Sequence, residues 1–106
     1  MASKQAIDSF LSCRRIAVVD DDGTAYAAGI VLLLLEAVAE VELITPFETI
    51  FPHVGSGYDR PLLLERLAAH PGFRRHTMQR VERIEPGTIT LRDALTGVAS
   101  AIERVD

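Results

Sequence analysis

The sequence of 106 residues contains no tryptophan, one cysteine and one lysine. Because Cys13 is alone, the chain can form no internal disulfide and offers no cysteine set for an iron–sulfur cluster. A lone cysteine is also typical of a reducing compartment, so we expect a cytoplasmic protein in which Cys13 is not a nucleophile. Positive charge comes almost entirely from arginine, Lys4 being the exception. The net charge of −4 argues against a nucleic-acid partner or an anionic membrane surface.

Long hydrophobic runs are scarce as well. The longest covers residues 25–35 and is too short for a bilayer, which needs about 20 apolar residues. No basic segment followed by an apolar core opens the chain, so no secretory signal is expected. A content of 48% hydrophobic and 25% charged residues fits one soluble globular domain.

The hydrophobic pattern predicts an α/β, Rossmann-like, three-layer domain in residues 15–106. We expect residues 1–14 to be a polar lead-in or linker, with one helical turn around Ile7–Leu11. The order β-α-β-α-β implies a parallel sheet with right-handed crossovers. Pro61 in the first turn and Asp59 at the cap favour the start of the second helix. The predicted elements are strand Ile16–Asp20, helix Ala25–Glu40, strand Val41–Thr45, helix Leu62–Ala69 and strand Phe73–Thr77.

The remainder predicts an antiparallel meander. Thr88–Arg92 alternates with period two, as a half-exposed strand does. Pro86-Gly87 and Leu95–Gly97 are turns, and Val98–Glu103 is a further short strand. Gln79–Glu85 is short and mixed in character.

The candidate cofactor site is an acidic loop between the first strand and the first helix. A dinucleotide-binding loop uses G-x-G-x-x-G so that backbone amides can approach pyrophosphate at a helix N-terminus. Here Asp20 and Asp22 fall on the first two glycine positions and Ala25 on the third. The degenerate loop comprises Asp20, Asp21, Asp22, Gly23, Thr24 and Ala25.

A second part of the dinucleotide pattern is missing. The end of strand two, where an acidic residue would hold the ribose, carries Thr45-Pro46. We therefore predict no tight binding of NAD(H) or NADP(H). Two alternatives stay open: an active nucleotide-binding domain with rearranged contacts, and Mg²⁺-dependent phosphotransfer. The latter follows from the D-x-D-G-T pattern of haloacid-dehalogenase-type phosphatases, with Asp20 as nucleophile and Asp22 as acid/base, but no lysine or acidic pair follows downstream.

Other polar candidates are weak. His53, His70 and His76 lie at no metal-ligand spacing, and we predict surface or loop positions for them. We expect surface ion pairs between four arginines and the glutamates Glu82 and Glu85. The arginines are Arg74, Arg75, Arg80 and Arg83. We predict no catalytic residue and no metal site.

Residues 14–106 as a whole resemble the small domain of the trimethylamine and histamine dehydrogenase group, flavoproteins of the old-yellow-enzyme class. The segments that carry the resemblance are Arg15–Gly23, Val41–Pro46, Arg60–Leu67 and Thr90–Asp93 with the turn after it. In that family the domain is similar to the pyridine-nucleotide domain of disulfide reductases but lacks the glycine loop.

The resemblance implies a structural or domain-interaction role without independent catalysis. The FMN and the iron–sulfur cluster belong to a barrel domain, and any ADP site belongs to an adenine-nucleotide domain, so this chain should bind none of them. Its expected partners are those two domains of a parent protein, or a second copy. The chain stops about where a final parallel strand would begin, which predicts a fragment of a larger flavoprotein. The first helix is apolar nearly all round, which predicts a contact surface on it.

Overall fold

The computed structural model describes residues 14–37, 40–55 and 59–106. Its elements confirm the predicted α/β, Rossmann-like fold. In chain order they are β1 Arg15–Val19, α1 Ala25–Ala37, β2 Glu40–Ile44, α2 Arg60–Ala69, β3 Phe73–His76, β4 Gln79–Glu85, β5 Thr88–Asp93 and β6 Ala99–Glu103.

The first five elements form a three-stranded parallel sheet of order β1-β2-β3 with its two helices. Arg15 pairs with Glu40, and Val41 pairs with Phe73. The central strand β2 is buried from Val41 to Ile44 because layers cover both of its faces.

Both helices pack on one face of this sheet around Val41 and Leu43. As predicted, α2 begins at an Asp59 cap, whose carboxylate accepts the N–H of Leu62 at 3.2 Å. The fully or largely buried residues of this cluster are Ala27, Ala28, Val31, Leu35, Val41, Leu43, Ile50, Phe51, Leu63 and Leu67.

The last three strands form an antiparallel sheet of order β4-β5-β6, which packs on the other face of the parallel sheet. Ile44 of β2 joins Ile89, Leu91 and Ile102 in a second buried cluster. Because side chains alternate along a strand, Ile44 points away from Leu43 and toward this second sheet. The domain is therefore a helical layer, a parallel sheet and an antiparallel sheet.

Two segments differ from what their sequence indicates. Gln79–Glu85, which is mixed in character, is a seven-residue strand. Its apolar pattern is weak because β4 lies at the edge of its sheet and a bulge separates Val81 from Arg83. The first helix, predicted to reach Glu40, extends to Ala37, and Glu40 instead opens β2 opposite Arg15.

In the ranges just given, no helix is long and apolar enough to cross a membrane. Cys13 and the helical turn predicted around residues 7–11 lie outside the described residues. The division between a lead-in over residues 1–14 and a domain over residues 15–106 remains a prediction.

Candidate functional site

The acidic loop occupies the position that the sequence predicted for it. β1 ends at Val19, residues 20–24 form the loop, and α1 begins at Ala25. The carbonyl oxygen of Thr24 accepts the N–H of Ala28 at 3.5 Å and so opens the helix. The loop thus lies at the carboxyl end of the parallel sheet, where open α/β sheets bind their ligands.

Asp20 is buried in this loop, with 3% of its surface exposed. Its Oδ1 accepts the backbone N–H of Asp22 at 3.1 Å and that of Gly23 at 2.9 Å. Two of the loop amides are thereby satisfied by the chain's own carboxylate, as in an Asx turn. These are the groups that a glycine-rich loop would offer to a phosphate.

The other carboxylate oxygen, Oδ2 of Asp20, is buried and has no hydrogen-bond partner among the described residues. Asp21 and Asp22 are exposed to solvent. Across the parts of the chain that the structure describes, no three His, Cys, Asp or Glu side chains converge as metal ligands. A buried Asp20 that already accepts two backbone N–H groups is poorly placed to attack phosphorus.

The segment from Phe47 to His53 covers the loop. Gly23 has φ +70°, and a Cβ built there would lie 2.7 Å from Cδ of Pro52 and 3.0 Å from the Phe47 ring. The N–H of His53 donates to the carbonyl oxygen of Gly23 at 2.8 Å. Phe47 and His53 pack edge to face with ring centroids 5.5 Å apart. The space directly against Gly23 is therefore filled by protein.

The end of β2 offers no carboxylate to a ribose. Thr45 is fully buried; its N–H donates to the carbonyl oxygen of His76 at 3.0 Å. Its Oγ1 accepts the N–H of Phe47 at 3.4 Å. Thr45 is thus used to join β2, β3 and the covering segment.

A second polar cluster was not predicted from the sequence. Glu42, in the middle of β2, is 2% exposed, and its Oε2 lies 2.6 Å from Nε2 of His76 on β3. Arg15 of β1 places Nε 2.5 Å from Oε2 of Glu40 and 3.9 Å from Oε1 of Glu42. The hydrogen bond to Glu40 raises the pKa of the Arg15 guanidinium. The cluster connects all three parallel strands. The sequence feature that could have indicated it is the pair of glutamates, Glu40 and Glu42, at alternate positions of the otherwise apolar strand β2.

The three histidines have separate roles. His53 packs on Phe47, His76 pairs with Glu42, and Nδ1 of His70 accepts the N–H of Gly72 at 3.1 Å after the end of α2. His76 lies on β3, within the strand that the sequence predicts over Phe73–Thr77, and its side chain is 29% exposed.

The predicted surface ion pairs are present in part. Arg83 pairs with Glu85 at 3.3 Å, and Arg92, rather than Arg80 or Arg83, pairs with Glu82 through two hydrogen bonds of 3.0 and 3.1 Å. These exposed pairs lie on the antiparallel sheet and away from the loop.

No protein-family model matches the sequence, and no curated protein matches it. Solved structures share the fold. Histamine dehydrogenase from Rhizobium sp. 4-9 is 23% identical with a TM-score of 0.74, and the match covers 89% of this chain and 14% of that one. The 6-hydroxypseudooxynicotine amine oxidase from Pseudomonas geniculata N1 is 16% identical with a TM-score of 0.77, over 87% of this chain and 14% of that one.

Thioredoxin reductase from Streptococcus pyogenes MGAS5005 is 14% identical with a TM-score of 0.72, over 92% of this chain and 30% of that one. The chain thus spans less than a third of the length of each of these three proteins. It has the fold of a domain-sized part of these oxidoreductases.

Proposed function

We propose that this chain is a nucleotide-domain-type module of a flavin-dependent oxidoreductase, of the amine-dehydrogenase kind, whose nucleotide site has become structural. Its role is to support and contact other domains, and it performs no catalysis alone. The observation that carries the proposal is that the Asp20 carboxylate accepts the backbone N–H groups of Asp22 and Gly23, which a phosphate would otherwise use.

The energetics oppose phosphate binding at this loop. A pyrophosphate would have to displace both hydrogen bonds of Asp20 and approach three carboxylates. Two like charges 4 Å apart cost about 4 kcal/mol at an effective dielectric constant near 20. Since micromolar affinity corresponds to about 8 kcal/mol, two such contacts would cancel it.

A contact role is supported by the exposed apolar residues of α1. Tyr26 is 80% exposed and Leu33 is 68% exposed. They are seven residues apart, so they lie on the same side of the helix. Large apolar side chains grouped on a surface are typical of interaction sites. In the proposed parent protein the partners are a barrel domain that carries FMN and an iron–sulfur cluster, and an adenine-nucleotide domain.

Calorimetric titration with NADH and with NADPH tests the proposal. We expect no saturable heat at micromolar concentrations of either cofactor. A dissociation constant in the low micromolar range would favour the alternative, a nucleotide-binding domain that uses rearranged contacts.

A further inference from the structure

A concave pocket of about 340 Å³ lies between α2, β3 and the covering segment. Each of these elements contributes two of its main lining residues, which are Leu64 and Leu67, Phe73 and Arg75, and Thr49 and Ile50. The pocket lies at β3, which is at the opposite edge of the parallel sheet from β1. Its volume is at the lower end of the range of about 300–1,000 Å³ that is typical of small-molecule sites.

The walls of this pocket are mainly apolar. Ile50 is 4% exposed and Leu67 is 1% exposed, and both belong to the buried cluster on the helical side of the sheet. Leu64 and Phe73 are half-buried and pack against that cluster. These two side chains therefore keep apolar surface that a ligand could remove from water.

Arg75 gives the pocket a positive charge. It follows Phe73 by two positions on β3, so the two side chains lie on the same, helical side of the sheet. Its strand partner Leu43 is buried on that side as well. Of the described residues that line the pocket, Arg75 alone is charged. No hydrogen bond or ion pair joins its guanidinium to another described residue.

A hydroxyl group accompanies this charge. The guanidinium of Arg60 donates to Oγ1 of Thr49 at 2.9 Å, and to the carbonyl oxygens of Ile50 at 2.9 Å and Phe51 at 3.1 Å. These three bonds hold the covering segment against the start of α2. Because Oγ1 of Thr49 is the acceptor toward Arg60, its own proton is free to be donated. The pocket thus combines apolar walls, one guanidinium and one hydroxyl donor.

We propose that this pocket binds a small apolar carboxylic acid as a free molecule. The carboxylate contacts the Arg75 guanidinium and the Thr49 hydroxyl, and the hydrocarbon part lies against Leu64 and Phe73. A guanidinium matches a carboxylate through two parallel hydrogen bonds. A neutral molecule would leave Arg75 without a counter-charge, and a small inorganic anion would bury none of the apolar surface. The inference goes beyond the proposed function, because no residue of the acidic loop lines this pocket.

The test uses the full chain and sodium hexanoate, with hexanol and sodium acetate as matched probes. Hexanol has the hydrocarbon chain without the charge, and acetate has the charge without the chain. Binding is followed by the NMR amide signals of Leu67 and Phe73. We expect these signals to shift and saturate at millimolar hexanoate, and the affinities for hexanol and for acetate to be at least about tenfold lower.

Two variants of β3 test the charge. Arg75→Gln removes the charge and keeps a polar side chain, so it should lower the affinity for hexanoate by at least about tenfold. Arg74→Gln removes the same charge from the neighbouring residue, whose side chain lies on the other face of the sheet. It should leave the affinity unchanged. Both positions are exposed, and thermal unfolding should show both variants folded.

Two variants of α2 test the location. Ala68 is an exposed helical residue that lines the pocket, so Ala68→Leu should fill part of the space and lower the affinity for hexanoate. Ala69 is exposed as well and lies outside the pocket, so Ala69→Leu should leave the affinity unchanged. Leucine is a strong helix former, and we expect both variants to fold.

Four results would overturn the inference. They are no saturable shift at tens of millimolar hexanoate, equal affinity for hexanol or for acetate, equal weakening by Arg74→Gln and Arg75→Gln, and unchanged binding in Ala68→Leu. Equal weakening by the two arginine variants would show a general effect of the protein's charge. Cofactor titration measures the proposed function separately, so either result can fail without the other.

Discussion

His76 places Nε2 2.6 Å from Oε2 of Glu42, and this contact joins β3 to a carboxylate whose side chain is only 3% exposed. A buried carboxylate needs a partner, because burial removes the water that would otherwise solvate it. Arg15, whose Nε is 3.9 Å away, is the more distant partner. His76 is thus the closer of the two groups that contact the Glu42 carboxylate.

We therefore expect His76→Ala to lower the free energy of unfolding by about 1–3 kcal/mol, the cost of a buried group left without its hydrogen bond. Arg74→Ala, an exposed position on the same strand, should change it by less than about 0.5 kcal/mol. Urea unfolding measures both. If the two variants have equal free energies of unfolding, Arg15 alone is enough to stabilise the buried Glu42 side chain.

Gly23→Ala should destabilise the domain more than Gly87→Ala. Both glycines have positive φ, +70° and +78°, so both variants carry backbone strain of about 1–2 kcal/mol. Only at Gly23 would the new Cβ also meet Pro52, and overpacking of this kind adds about 1–3 kcal/mol. Thermal or urea unfolding gives the difference. If the two variants lose equal stability, the covering segment does not pack on the loop as described.

The exposed apolar side of α1 should make the chain self-associate at micromolar concentration. Leu33→Asp puts a charge on that side and should shift the chain toward monomer. Val98→Asp, a residue 63% exposed on another part of the domain, should have no such effect. Sedimentation at several concentrations checks this. If the sedimenting species is a monomer at every concentration, the exposed apolar side of α1 does not cause self-association.

Asp93 gives a prediction about acid stability. The backbone N–H of Thr96 and then that of Leu95 hold the pKa of this carboxyl below its ordinary value of 3.8. Its stabilising contribution is therefore fully present above that value and is lost as the pH falls through the lowered pKa. Wild type should lose stability more steeply than Asp93→Asn as the pH drops below about 4. If the free energies of unfolding of the two proteins fall equally with pH in the acid range, Asp93 does not have this role.

The order of strands and helices was predictable because the burial of each element leaves a signal in the sequence. β1 is a short apolar run and β5 alternates with period two, while a proline and an aspartate mark the start of α2. The sequence of β4 is less clear because an edge strand with a bulge can be polar over most of its length. The pairing of Glu42 with His76 joins residues 34 positions apart in the sequence, and only the register of β2 against β3 brings them together.

The acidic loop itself was predictable, but its geometry was not. The sequence showed charge at the glycine positions of the dinucleotide pattern. It did not show that Asp20 turns inward and accepts the amides of its own loop, nor that Pro52 and Phe47 close over Gly23. Those contacts depend on a covering segment that has neither helix nor strand in its described part.

We propose that the loop amides of Asp22 and Gly23 are no longer available to a phosphate. The sharpest test is a titration with NADH and with inorganic pyrophosphate, followed by the NMR amide signals of these two residues. We expect both signals to stay unchanged up to millimolar ligand, because Oδ1 of Asp20 keeps its two hydrogen bonds. Saturating shifts of these two signals at low micromolar NADH would contradict it and show that the loop still binds nucleotide.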